Sequence, residues 1–424
     1  MTAAPDSAAK APFSGWRIVA LAVITMVMTS PGQTIGVSVF IDPMIDGLGV
    51  TRDQVSLAYL IGTLSAATML PIVGRRIDRF GLRTMMTIIA LGFGVTLLGM
   101  SQVQGFATLI VGFLGIRLLG QGSLSLTATV AVGLWFEHNR GFAAGIVAAV
   151  GGGMMALTPI ALNGLIGFTS WRTAWVLAAI IVVSVVLPMA RFGMIDRPAD
   201  VGQVPDGAAF VARRDRSGHA RASRPPSTRA EALRNPAFWL LAAVVATPSL
   251  LTTALNFHQI AILGERGISE DQAAALFLPQ FVGPLAAGLV FGPLADRLRP
   301  RTLMVTAMVM LAGAHGVLSV ASNVPIAIGY GLTVSVAAGA VRTLYSTLFP
   351  RFFGTAELGG IMGVATTITV AASASGPFIL SLAKTATGEF QLPVLLLGAV
   401  PLTIAAIVAV TPTSRVPELA LTAG

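Results

Sequence analysis

Twelve runs of mainly apolar residues follow one another along this chain, separated by short polar turns. A bilayer core of about 30 Å needs roughly 20 apolar residues per helix, so each run is predicted to be a membrane-spanning helix. The first six lie near 16–40, 54–74, 84–103, 106–134, 141–165 and 171–191. Six more lie near 237–263, 272–293, 302–321, 324–349, 356–382 and 391–411. They are numbered span 1 to span 12. A polar stretch, 192–236, separates the two sets. The pattern predicts an all-α membrane protein of two six-helix bundles, 1–191 and 237–424, joined by a linker.

Composition sharpens this. The chain has 424 residues, 54% of them hydrophobic and only 11% charged. A soluble domain carries about 25% charged residues. Cysteine is absent, which removes disulfides, thiolate metal sites and thiol nucleophiles. Residues 1–15 are small and polar and the first apolar run is long, so no secretory signal peptide is expected.

The net charge of +9 suggests nucleic acid until the basic residues are placed. Of the 27 Lys and Arg, 21 fall on one side of the predicted spans, including nine Arg between 191 and 234. Arg52, Arg172, Arg266 and Lys384 fall on the other. By the positive-inside tendency, both termini and the linker are expected in the cytoplasm of a cell-membrane protein. The basic charge is then topological, and no nucleic-acid partner is expected. Linker residues Arg213, Arg214, Arg216, Arg221, Arg224 and Arg229 are read first as a solvated tether and second as a contact for anionic lipid heads.

An internal repeat appears at an offset of 218 residues. "GRRIDRFGLR" at 74–83 aligns with "GPLADRLRPR" at 292–301, matching Gly74, Asp78, Arg79 and Arg83 to Gly292, Asp296, Arg297 and Arg301. Gly141 and Gly145 align with Gly359 and Gly363. Two similar halves with a site between them is the logic of many secondary transporters. Glycine suits a tight turn, and Asp78 is expected to cap a helix start and pair with nearby Arg. Gly74, Asp78, Arg79, Gly81, Arg83, Asp296 and Arg297 are therefore predicted to form a latch that joins the halves and releases as they rock. Arg299 stands where the second copy should have glycine, which predicts a looser second turn.

Two Arg lie inside spans: Arg117 in span 4 and, about two turns nearer the cytoplasm, Arg342 in span 10. Even lenient insertion scales put a charge at mid-bilayer at about 2.5–3.5 kcal/mol. No Asp or Glu sits in the middle of a span. A guanidinium pairs bidentately with carboxylates and keeps its proton. The excess of cation therefore predicts an anionic small-molecule substrate. The competing readings are packing against backbone carbonyls for Arg117 and snorkelling for Arg342.

Further candidate contacts are Gln33, after the Pro31–Gly32 kink; Gln121, one turn from Arg117; Asn256, His258 and Gln259 in span 7; Gln280 in span 8; and Tyr345, three residues from Arg342. His258 is the candidate proton carrier. No phosphate-binding loop, metal cluster or nucleophile triad is present, so neither enzyme, cofactor nor ATP-driven pump is expected.

The turn "GRRIDRFGLR" resembles the signature loop of the major facilitator superfamily. "RLLGQG" at 117–122 is similar to its span-4 Arg motif, and "WFEHNRGFAAG" at 135–145 to its entry into span 5. "SGWRIV", "RGFAAGIVAAVGGG" and "FHQIAILGERGIS" lean toward the monocarboxylate/oxalate-transporter-like branch. The resemblance implies a monomeric alternating-access carrier whose spans 1, 4, 7 and 10 line the cavity, driven by proton coupling or exchange. Its relatives place a cation in span 8 or 11, where this chain has only Gln280 before Lys384. The alternative is a carrier of neutral or amphipathic solutes, drug or sugar, with both Arg structural.

Overall fold

A computed structural model describes residues 13–137, 139–206, 228–354 and 357–412. Linker residues Arg213, Arg214, Arg216, Arg221 and Arg224 lie outside the described residues, as does the side chain of Asp296. Among the described residues eleven helices are long and apolar enough to cross a membrane, and a shorter apolar helix, Gly15–Met28, begins span 1. Spans 2 to 6 are Arg52–Phe80, Leu82–Ser101, Phe106–Trp135, Gly141–Phe168 and Trp171–Gly193. Spans 7 to 12 are Pro236–Gly264, Glu270–Phe291 (helical on to Arg297), Pro300–Ser319, Val324–Phe353, Leu358–Thr387 and Gln391–Val410. They form two six-helix bundles, as the apolar pattern predicts.

Within the first bundle span 3 packs on span 6 and span 2 on span 4; in the second, span 10 packs on spans 8 and 9, span 7 on span 11, and span 9 on span 12. Val95, Val111, Ile180, Leu289 and Leu396 point outward and exposed, as lipid-facing residues do. The end of the bundles that carries the charged turns is called the basic face, and the opposite end the far face.

Span 1 departs most from its predicted single run. It is Gly15–Met28, a 3-10 turn Ser30–Gly32, Thr34–Ser38 and Ile41–Leu48. Pro31 has no N–H to donate, and the freed ends are capped from nearby: Thr29 Oγ1 donates to Met26 O at 2.7 Å and Ser30 Oγ to Val27 O at 2.5 Å. Gly32 packs directly on span 4, where a Cβ would lie 2.5 Å from Ile116 O. Opposite the break, span 4 itself widens into a π-helix, Ile116–Leu124. Such π segments cluster at functional sites.

The basic turns correct one expectation. Asp78 lies in the last turn of span 2 and is exposed, so it cannot cap the start of span 3. Asp196, just past span 6, does so instead: its Oδ1 accepts from Arg83 N–H at 2.7 Å. Gly81 is the single-residue hinge, at φ +83°, and the Asp196 carboxylate sits where its Cβ would be, 2.9 Å away. Arg83 is also corrected. Its Nη2 donates to Arg191 O at the end of span 6, so it clamps span 3 to span 6 within one bundle. Arg301 repeats this, donating to Thr411 O beyond span 12. The second turn replaces the left-handed glycine with two extended residues, Leu298 and Arg299, ahead of Pro300.

The described ends of the linker are docked rather than free. Asp206 accepts from the Glu137 and Asn139 N–H groups at 2.6 and 2.9 Å. The short helix Arg229–Arg234 is joined to span 11 through Arg229 N–H and Glu357 Oε2, 2.7 Å apart. Its capping Glu231 accepts from Thr228 N–H, which holds that carboxyl below its usual pKa.

Gly81→Ala is expected to destabilise the first bundle by about 1–3 kcal/mol through its glycine-only backbone conformation alone, φ +83° with ψ 162°. The added methyl also meets Asp196. Thermal unfolding of the purified protein checks this: a midpoint unchanged from wild type contradicts the hinge assignment.

Candidate functional site

Span 7 at Asn256, span 8 at Phe277, Gln280, Phe281 and Leu285, span 10 at Ser335 and Arg342, and the small residues of span 5 enclose a cavity of about 450 Å³. Ile35, just past the break in span 1, completes the wall. The surface is mostly apolar, with Arg342 as its charged side chain. Arg342 is exposed into this space and has no hydrogen-bond or ion-pair partner among the described residues. It also borders a second chamber of about 290 Å³ that contains Tyr345, Ser249 and Thr366. Arg342 and Tyr345 therefore line one chamber. The Tyr345 hydroxyl lies 2.9 Å from Thr366 Oγ1 and donates to Met362 O at 3.2 Å, which ties span 10 to span 11.

Arg117 lies elsewhere. It is 4% exposed, its Nη1 donates to Gly32 O at 3.2 Å, and its guanidinium covers the Tyr59 ring at 4.8 Å. Thr34 Oγ1 lies 2.8 Å from the Tyr59 hydroxyl and joins the same cluster. The broken span 1 supplies the carbonyl that the buried guanidinium needs, much as the packing reading anticipates. Arg117 and Gln121 do share one wall, but of a separate cavity of about 330 Å³ between spans 2, 4 and 11. The two Arg therefore line different cavities.

Three other expected contacts are turned toward protein. His258 is two residues past Asn256, about 200° around the helix. It is 1% exposed, with Nε2 2.9 Å from Pro377 O and its ring against Phe257 and Phe390. Gln259 is also buried, donating to Ala273 O at 2.8 Å, and it receives the Gln280 amide at 2.6 Å. Gln33 donates to Thr29 Oγ1 at 3.0 Å beside the span-1 break. Asn256 and Gln280 remain as the expected polar residues that face the cavity with Arg342.

Above the cavity the bundles are joined at the far face. Asp53 accepts from Ser381 Oγ and, at 2.9 Å, from Thr385 Oγ1. Asn163 donates to Asp271 Oδ1 at 2.8 Å, and the Tyr59 and Phe257 rings meet edge-on at 4.7 Å. Toward the basic face, Arg342, Ser346 and Thr366 are exposed. Sequence reading missed Tyr59, Asp53 and Asp196. The only available signal was a Tyr or Asp at the margin of an apolar run.

Residues 19–263 and 250–423 match the model of the Major Facilitator Superfamily. The chain belongs to that superfamily. Among its relatives, a triacylglyceride transporter of Mycobacteroides abscessus is 25% identical over 71% of this chain and 63% of its own length. The uncharacterised superfamily transporter YcxA of Bacillus subtilis is 23% identical over 63% of this chain and 62% of its own. The matches thus span just under two thirds of each relative. Among solved structures, a bacterial homolog of the human lysosomal transporter Spinster, in an inward-facing and unoccupied conformation, superposes with a TM-score of 0.69. That superposition covers 96% of each chain at 15% identity. Its occupied form gives the same TM-score over 97% of this chain and 95% of the other.

Asp53→Ala should loosen the far-face seal, since each hydrogen bond to a charged group contributes about 1.5–3 kcal/mol. The native chain has no Cys. A thiol introduced as Asn256→Cys is therefore the sole reactive one, and its labelling from the far face should rise about tenfold or more in the Asp53→Ala background. An unchanged labelling rate contradicts the seal.

Proposed function

We propose that the chain is a secondary transporter that carries a monocarboxylate with an apolar body across the cell membrane by alternating access. The basic face lies in the cytoplasm, and the conformation described is sealed outside and accessible from within. The observation that carries this reading is Arg342, a cation lining a largely apolar cavity with no counter-charge among the described residues. The substrate carboxylate supplies that charge, with a geometry the guanidinium matches. Asn256 and Gln280 orient the polar end, and Phe277, Phe281 and Leu285 receive the apolar body.

The apolar lining also favours a second reading, a neutral or amphipathic solute, and one relative bears the name of a triacylglyceride transporter. Uptake into proteoliposomes separates the two. For a carboxylate substrate, Arg342→Ala should lower uptake at least tenfold, with partial recovery in Arg342→Lys. Carboxylate uptake at the wild-type rate in Arg342→Ala, or loss of charged and neutral solutes alike, removes the anion reading. An imposed pH gradient distinguishes proton coupling from exchange.

Gly74, Asp78, Arg79, Asp296 and Arg297 are proposed to engage when the basic face closes. Asp78 and Arg79 are exposed in the present conformation, and Asp78 has no partner among the described residues. Asp78→Asn is therefore expected to slow flux severalfold and leave equilibrium substrate binding unchanged. An equal loss of both places Asp78 in the binding site instead.

A further inference from the structure

Between spans 2, 4 and 11 the cavity of about 330 Å³ shares no lining residue with either chamber at Arg342. Its wall carries Arg117, Thr63, Ser125 and Gln121, and no carboxylate. Arg117 is 4% exposed and Thr63 5%. Arg117 Nε, Thr63 Oγ1 and Ser125 Oγ are each buried without a hydrogen-bond partner.

The rest of the guanidinium is already held, by Gly32 O on one side and the Tyr59 ring on the other. Its position is set by the protein, yet among the described residues no acid neutralises its charge there. Gln121, four residues on from Arg117 and so on the same helix face, lies on the same wall. A buried donor without an acceptor carries a desolvation cost that a bound acceptor removes. A metal cation at this spot is repelled by Arg117. A neutral solute leaves the buried charge uncompensated. Hydroxyls, an amide and a guanidinium converging without a carboxylate suit a compact anion.

We propose that this cavity is a second anion site, separate from the substrate chamber, which takes a compact monovalent anion: chloride or a short carboxylate such as formate. It stands whether or not Arg342 holds the transported solute. An occupant there completes the buried cluster that joins the broken span 1 to the π segment of span 4, so it should stabilise the first bundle.

Purified full-length protein in detergent, held in sodium gluconate, is titrated with sodium chloride or sodium formate at fixed ionic strength, and the thermal midpoint is followed. A saturable rise is expected for at least one of the two. The salt that produces it identifies the occupant as inorganic or organic. Thr63→Val with Ser125→Ala should raise the half-saturating concentration tenfold or more, and Arg342→Ala should leave it unchanged. If the double variant does not fold, Gln121→Leu, on the same wall but partly exposed, serves as the second test and should raise it severalfold. The proposal is overturned if neither salt gives a saturable rise. It is equally overturned if the response vanishes in Arg342→Ala or persists unchanged in the folded wall variants.

Discussion

A guanidinium at bilayer depth has no water to solvate it, so the protein must surround it with acceptors or leave it facing a cavity. This chain does both. Arg117 is held by a backbone carbonyl, a hydroxyl and an aromatic face, with only its unpartnered Nε beside a cavity. Arg342 is left open to the chamber between the bundles. The difference traces to the partner spans. Span 1 is broken at Pro31–Gly32 and so offers Gly32 O to Arg117. Span 7 stays helical from Pro236 to Gly264 even across Pro248, with no break like that of span 1.

The same asymmetry runs through a molecule built from a repeat. The elements that hold each bundle together are duplicated, as Arg83 and Arg301 show by clamping the ends of spans 6 and 12. The elements around the cavities are not. Span 4 carries a π segment where span 10 is a regular helix, and the one-glycine hinge of the first turn becomes two extended residues in the second. Duplicated packing gives each half its own rigidity. The unduplicated features give the two halves different sites.

On the alternating-access reading, the contacts between the halves are the ones that must exchange. At the far face the bundles meet through a few polar ties, Asp53 with Ser381 and Thr385 and Asn163 with Asp271, over an edge-on aromatic pair. Such ties are strong enough to favour one arrangement and few enough to exchange for another. Asp78 and Arg79 stand exposed at the opposite end. This is the distribution that alternating access requires of any two-body carrier.

Much of this was legible in the amino-acid order alone. The length and polarity of the apolar runs are set by bilayer thickness, so twelve spans and the kink at Pro31 could be read directly. So could the two intramembrane Arg and their lack of an acidic neighbour along the chain. Partnership across helices could not be read, because it depends on rotations and tilts that only packing sets. The turn's capping acid is Asp196, more than a hundred residues beyond the Arg83 it bonds, and not Asp78 beside it. His258 faces Pro377, and Asn256, two positions earlier, faces the chamber. The chain order thus determined which polar groups enter the membrane. Tertiary packing alone decided which of them are satisfied by protein and which are left facing a cavity, because each hydrogen-bond partner comes from a different helix.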